Sequence, residues 1–283
     1  MPVAHANRWS GGAQALNGDR PRYRPSACVR RAAYRDHSCA RHPRPGCSTT
    51  ARTGGNRQAV AAVASQVNIE IWSDVACPWC YIGLNRFHAA LSNFEHREDV
   101  TVRLRSFQLD PSLPESFDGT EVDYLVASKG LRREQVEAMV TQVAGVGAGD
   151  GLPFDFPALV VANSRRAHRL IQAAIAADDT GELSWKLEQA LFTAHFADGR
   201  SIGDPAALIE LAEKVGLPRP VAEEALDSAE LDAAVTDDID QARSLGVHAV
   251  PTFVFNRTHS ISGAQATEVF AQVLGQLWEQ ATA

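Results

Sequence analysis

From residue 67 onward the chain switches between two hydrophobic periods. Val67–Ser73 (VNIEIWS) and Val100–Phe107 (VTVRLRSF) alternate apolar and polar residues and are rich in β-branched side chains, which predicts strands. Between them, Tyr81–Phe94 carries apolar residues at 82, 84, 87 and 91, a helical spacing. The predicted unit is strand, helix, strand. From Pro111 to about Ser228 the period is helical throughout. Glu121–Lys129, Arg133–Val146, Ser164–Asp179, Leu183–Phe196 and Asp204–Val215 all repeat apolar positions three or four apart. Ser164 and Asp204 read as N-caps, and Gly130, Gly181 and Gly216 as helix stops. One more amphipathic helix spans Leu231–Leu245 and closes at Gly246. Strand pattern returns at Pro251–Asn256 and His259–Ser262, ahead of a last helix from about Ala266 to Gln280. The order β-α-β, a block of helices, then α-β-β-α predicts an α/β chain of thioredoxin-like fold with a large all-helical insertion. The thioredoxin part covers about 67–110 and 231–283, the insertion about 111–230.

Composition divides the chain at the same place. Residues 1–66 hold 11 Arg, no Lys, 2 Asp and no Glu, a formal charge of +9, whereas 67–283 carries −16. The first segment is rich in Arg, Gly, Pro, Ser and Ala and sustains neither period, so it buries too little apolar surface to offset its ordering entropy. A disordered arm is expected there. A basic arm of this kind suits nucleic acid or a membrane surface, and an Arg-rich, acid-poor leader suits an organellar transit peptide. Arg without Lys, mixed with Ala, Gly and Pro, also reads as translated GC-rich DNA, and the natural product is expected to begin near Val67. No run approaches 18 apolar residues, and Met1 to Gly18 lacks the apolar stretch of a secretory signal. The folded part is therefore expected to be cytoplasmic, with no membrane partner and no nucleic-acid partner.

Candidate chemistry narrows to two cysteines. Cys28, Cys39 and Cys47 lie in the arm without His or Cys at zinc-finger spacing, while Cys77 and Cys80 are alone in the folded part. Cys77-Pro78-Trp79-Cys80 follows a predicted strand and opens a predicted helix, with Pro78 in the first turn where helices accept it. Residues i and i+3 on that turn lie close enough for a disulfide. The first sulfur would sit at the positive end of the helix dipole, which favours thiolate and makes Cys77 the nucleophile, with Cys80 the resolving thiol. Half of a zinc site and a pair of structural cysteines are the competing readings; no second pair follows, so no metal is expected. Val250-Pro251 stands at the mouth of a strand, where proline is ordinarily tolerated. In a thioredoxin-like arrangement this loop faces the redox pair, and a cis peptide would expose the Val250 backbone to an extended substrate.

Together, IEIWSDVACPWCYIG (69–83), GVHAVPTFVF (246–255) and ISGAQ (261–265) resemble the DsbA family, in its FrnE-like branch. The resemblance implies dithiol–disulfide exchange on protein or small-molecule thiols, with no metal or organic cofactor and with glutathione as a conceivable redox partner. It maps Cys77 as nucleophile, Cys80 as resolving thiol and Pro251 as cis-proline, with Pro78, Trp79 and Val250 tuning the site or meeting substrate. VVANSRRAHRL (160–170) matches a family segment at Asn163, Ser164, His168 and Arg169 and departs from it at Arg165 and Arg166. The superfamily also holds 2-hydroxychromene-2-carboxylate isomerases and kappa-class glutathione transferases, which place Ser where Cys77 stands. Ser262, Gly263 and Gln265 lie near where those enzymes hold glutathione, so a glutathione-dependent isomerase or transferase stays open, as does a redox-switched holdase. His168 reads as capping or packing, Asp74 as a proton carrier or a turn cap, and His248 as a group that could tune Cys77. Phe107 and Phe253 read as core. Glu210, Glu213, Glu223, Glu224, Asp237, Asp238 and Asp240 read as solvated helix faces.

Overall fold

The computed structural model describes residues 67–282. The arm 1–66, its three cysteines and the expected start near Val67 lie outside the described residues. Four strands and nine helices follow in the order β1 (Val67–Ser73), α1 (Pro78–Ser92), a short 3-10 turn (Arg97–Asp99), β2 (Val100–Ser106), α2 (Glu121–Lys129), α3 (Arg133–Gly149), α4 (Arg165–Ala177), α5 (Glu182–Phe196), α6 (Pro205–Val215), α7 (Arg219–Asp227), α8 (Ala229–Ser244), β3 (Thr252–Phe255), β4 (His259–Ser262) and α9 (Thr267–Thr282) among the described residues. The sheet order is β2-β1-β3-β4. β1 and β2 run parallel, with Val67 opposite Val100, because α1 carries the crossover. β3 is antiparallel to β1, with Ile71 opposite Phe253, and β4 is antiparallel to β3. This is a thioredoxin-like sheet with a helical insertion, α2–α7, between β2 and α8.

The two-residue period of the strands sorts the faces. Val67, Ile69 and Ile71 of β1 join Phe253 and Phe255 of β3 on one side, against Phe87 of α1 and Phe270 of α9. The Phe87 and Phe253 rings lie 5.3 Å apart, those of Phe253 and Phe270 4.7 Å. On the other side Trp72 packs with Ala242, Val247 and Val254 under α8, and half-buried Phe107 borders this cluster. Trp72 Nε1 donates to the Asp238 carbonyl at 2.9 Å. The insertion joins the first core through aromatic rings. Tyr81 of α1 lies 5.2 Å from Phe192, 6.1 Å from Phe196 and 5.6 Å from Phe154.

Several expectations change. α7 has no counterpart in the predicted elements: Pro218 and Pro220 interrupt the pattern, yet both fall where a helix tolerates proline, and Ala222, Ala225 and Leu226 bury its inner face. α3 runs past Val146 to Gly149, because Gly147 leaves room for the Phe154 ring. Gly181 starts α5 rather than stopping α4, which ends instead at Asp178. Asp178 accepts from Thr180 N at 3.0 Å and Leu183 N at 2.9 Å. Ser164 occupies the N-cap position of α4 without capping it; Asn163 Oδ1 takes the Arg165 N–H at 2.8 Å. Asp238 is not on a solvated face. It is buried and accepts from Arg105 Nη1 at 2.8 Å, Ser106 N at 3.0 Å and Gln172 Nε2 at 2.6 Å. Among the described residues no helix is long and apolar enough to cross a membrane.

Candidate active site

β1 ends at Ser73, and Asp74 shapes the turn into α1. Its backbone carbonyl accepts the Cys77 N–H at 2.9 Å, while its carboxylate accepts Ala76 N at 3.2 Å and Leu109 N at 2.8 Å. Cys77 is thereby the N-cap residue of α1, with Pro78 at the first helical position. The Cys77 carbonyl receives Cys80 N at 3.0 Å and Tyr81 N at 3.3 Å. Both cysteines are free thiols. Cys77 is 4% exposed, Cys80 is fully buried one turn on, and Trp79 between them is 36% exposed.

The Val250–Pro251 peptide bond is cis. The Cys77 thiol donates to the Val250 carbonyl across 3.8 Å, so the sequence-distant loop and the cysteine pair meet. Neighbours fix the loop. Thr252 Oγ1 donates to the Ala249 carbonyl at 2.7 Å and stands 3.0 Å from Ser262 Oγ, and Gly263 N donates to the Pro251 carbonyl at 2.8 Å. Gln265 Nε2 turns back to the Ser262 carbonyl at 2.8 Å. Ser262, Gly263 and Gln265 therefore brace the proline loop. The glycine of the CPWCYIG run has a packing reason: a Cβ on Gly83 would stand 2.8 Å from Pro251 Cγ and 3.2 Å from Ala264 Cα.

Beneath the pair lies a buried layer of ionisable groups. His168 Nε2 is 3.2 Å from Asp74 Oδ1, both residues buried. Burial acts to raise the Asp74 carboxyl, but His168 and the Leu109 and Ala76 N–H groups outweigh it and hold it below the usual range. Burial and the adjacent Cys77 push the Cys80 thiol well above an ordinary cysteine. Two members were not anticipated from the sequence, Glu188 and His195, both on α5. Burial pushes Glu188 up to about 7 and His195 down to about 4. The Ser73 hydroxyl stands beside both Cys80 and Glu188 and favours the charged form of each. Ser73 Oγ, Glu188 Oε2, His168 Nδ1 and His195 Nδ1 form no hydrogen bond of good geometry among the described residues. A signal for α5 existed: Glu188 and His195 lie seven apart on the stripe of Ser184, Leu187, Leu191 and Phe192 that faces the core.

Other anticipated residues lie elsewhere. His248 lines a separate depression with Phe107, Thr236 and Arg243. Arg165 binds Asp232 through Nε at 2.7 Å and Nη2 at 2.8 Å, and Arg166 pairs with Glu115 at 2.9 Å, so both arginines work as ties within the fold. Arg169 Nε lies 3.7 Å from Asp232. Asn163 bonds Gln108 Nε2 at 3.1 Å and the Leu113 carbonyl at 2.6 Å. A cavity of about 310 Å³ opens beside Cys77, Pro78 and Trp79, walled by α2, α3 and the loops around them. Among the described residues no group of three or more His, Cys, Asp or Glu is placed to hold a metal ion.

Known proteins resemble this chain in sequence and fold. A curated relative, the uncharacterized protein YwbO of Bacillus subtilis, is 24% identical over 209 residues, covering 74% of this chain and 96% of its own length. The crystal structure of a probable DsbA oxidoreductase from Streptomyces coelicolor superposes with a TM-score of 0.70 at 36% identity, covering 76% of this chain and 91% of that one. The cytosolic disulfide reductase DsbM from Pseudomonas aeruginosa, solved with GSH, gives a TM-score of 0.52 at 25% identity over 74% of this chain and 98% of its own. The model of the DSBA-like thioredoxin domain matches residues 68–275, and the chain belongs to that family.

Proposed function

We propose that this protein is a thiol–disulfide oxidoreductase whose working pair is Cys77 and Cys80. The observation that carries the reading is the Cys77 sulfur at the start of α1, 3.8 Å from the carbonyl of Val250 and backed by a buried Cys80. The Cys77 thiolate attacks one sulfur of a substrate disulfide, the S–S bond breaks, and the first thiol leaves. Cys80 then gives up its proton and attacks Cys77 Sγ, which releases the second thiol and leaves a Cys77–Cys80 disulfide. The protein dithiol is oxidised by two electrons and the substrate is reduced by two; the reverse path oxidises a dithiol. A buried thiol held protonated needs an acceptor, and Glu188, reached past Ser73, is a buried carboxyl that ionises near neutral pH. Val250 offers backbone to an extended substrate, and Pro78 and Trp79 border the attacking sulfur. The GSH-bound relative supports a small thiol as electron partner, and its description as cytosolic agrees with a cytoplasmic placement.

The test is to equilibrate the full chain over graded ratios of glutathione to glutathione disulfide, trap thiols by alkylation and map the 77–80 peptide by mass. A reversible Cys77–Cys80 disulfide is expected. Cys80→Ser should accumulate a mixed disulfide on Cys77, and Cys77→Ser none. If no such disulfide forms at any ratio, the oxidoreductase reading fails. Glutathione-dependent isomerisation would instead survive Cys80→Ser, and a holdase would suppress aggregation undiminished in Cys77→Ser.

A further inference from the structure

The cavity beside Cys77 has a composition that selects among disulfides. Its wall is largely apolar, including Leu113, Val140, Val143 and Phe156, with Cys77 itself set into it. Three large apolar side chains are exposed at its lining: Trp79 at 36%, Leu109 at 47% and Met139 at 47%. Exposed apolar surface gathered round one opening marks a place that covers a ligand rather than random surface. The charges at the site are acidic. Asp74, Asp110 and Glu121 line it, against Lys129 as the single Lys or Arg of the lining. Asp74 is engaged by His168, and Asp110 by Ser112 and Tyr124. Burial leaves His195 neutral, so it supplies no cation for an anionic ligand, and raises Glu121 to about 7, so that carboxyl is partly protonated near neutral pH. A volume of about 310 Å³ is at the lower end of the roughly 300–1,000 Å³ of small-molecule pockets, so the occupant is small.

We infer that the preferred substrate of the Cys77–Cys80 pair is a small, uncharged, apolar disulfide whose organic part fills this cavity, in preference to glutathione disulfide or a protein disulfide. The inference rests on the oxidoreductase reading and narrows its substrate class. Glutathione disulfide brings several carboxylates to a mainly apolar opening that has one lysine and no arginine to receive them. A protein disulfide must bring two backbone segments to a sulfur that is 4% exposed. An apolar disulfide loses little hydration on entry and gains the wall. Once it is seated, Cys77 takes one sulfur, the other leaves as a thiol, and Cys80 frees the second, with electrons and protons balanced as above.

The experiment is single-turnover oxidation of the pre-reduced full chain by diethyl disulfide, glutathione disulfide and insulin, read as Cys77–Cys80 disulfide by mass mapping. Each rate is divided by that of N-acetylcysteine with the same disulfide, which removes intrinsic reactivity. The normalised rate for diethyl disulfide should exceed the other two at least tenfold and saturate with concentration. Met139→Glu, at an exposed position on α3, should lower that advantage about fivefold or more, and Met139→Leu should keep it. Equal or faster reaction with glutathione disulfide or insulin overturns the inference, as does an advantage untouched in Met139→Glu. If all three disulfides oxidise the pair without preference, the substrate class is wrong and the oxidoreductase reading stands. If none does, both fall.

Discussion

At the scale of single residues, the informative group is a carboxyl that a helix of the insertion delivers beneath a cysteine far away in sequence. Glu188 is buried, has one oxygen without a hydrogen-bond partner, and is pushed up to about 7 by that burial. Below pH 7 it holds its own proton and cannot take one from Cys80; above pH 7 it can. Release of the mixed disulfide in the native chain should therefore accelerate as pH rises through about 7. Glu188→Gln, which keeps the shape and removes the base, should abolish that break and slow release at pH 8 by about a hundredfold, the lower end of the 10²–10⁴ span of general acid–base effects. Quenched-flow mass analysis of the Cys77 adduct reads this directly. A break at pH 7 that persists in Glu188→Gln would remove Glu188 from the mechanism. The formation step, which Cys77 performs alone, provides the internal control.

At the scale of elements, the sheet rests on α8 through a carboxylate that the helical period alone disguises. Asp238 lies three residues after Val235 and four before Ala242 on the buried stripe of α8, where a charged side chain has to find partners. It has Arg105 and the Ser106 N–H from β2 and Gln172 from α4, so three elements meet at one group. Asp238→Ala would leave a buried guanidinium and a backbone N–H short of an acceptor. The expected loss is about 3–5 kcal/mol in urea unfolding, with Asp238→Asn losing less. A loss under about 1 kcal/mol would mean that Glu70, the other carboxylate on Arg105, carries the contact. The same helix shows how far pattern reaches. Alternation located β1 and β4 to the residue: β4 is exposed on one face, and β1, although largely buried on both, keeps a polar second face at Asn68 and the ion-paired Glu70. Apolar spacing located seven of the helices of the described part outside α1, within a few residues at each end. It misread Asp238 as solvated, although the stripe on which it sits was visible, because acidic neighbours at 237 and 240 mask one buried carboxylate among exposed ones. It passed over α7, where proline at 218 and 220 outweighed the apolar positions 222, 225 and 226. The cysteine pair was legible since its chemistry is local, whereas the layer beneath it combines residues 73, 74, 168, 188 and 195, which only the folded chain brings together.

At the scale of the molecule, the insertion and the sheet share one apolar core, which runs from Ile71 and Phe87 through Tyr81 to Leu191, Leu208 and Leu226. With no break in that core, the described part should unfold as one cooperative unit, and groups buried at the junction should report on the whole. Glu188 and His195 are two such groups, and their effects on stability oppose each other. His195 has a folded value of about 4 against an ordinary 6.5, so between these the unfolded chain binds the extra proton, and stability falls as pH falls. Glu188 has a folded value of about 7 against 4.5, so between these the folded chain binds the extra proton, and stability falls as pH rises. Between about pH 5 and 6 the two slopes are each about 1 kcal/mol per pH unit and of opposite sign, so they largely cancel. Relative to the native chain, Glu188→Gln should tilt stability upward with pH by that amount, and His195→Gln should tilt it downward. Urea unfolding at several pH values in this window measures both tilts. Parallel pH dependence in all three proteins would show that neither group changes its protonation on folding. The opposed tilts would in turn explain how a chain can keep two ionisable side chains buried beside its reactive thiols with little net pH slope from that pair between about pH 5 and 6.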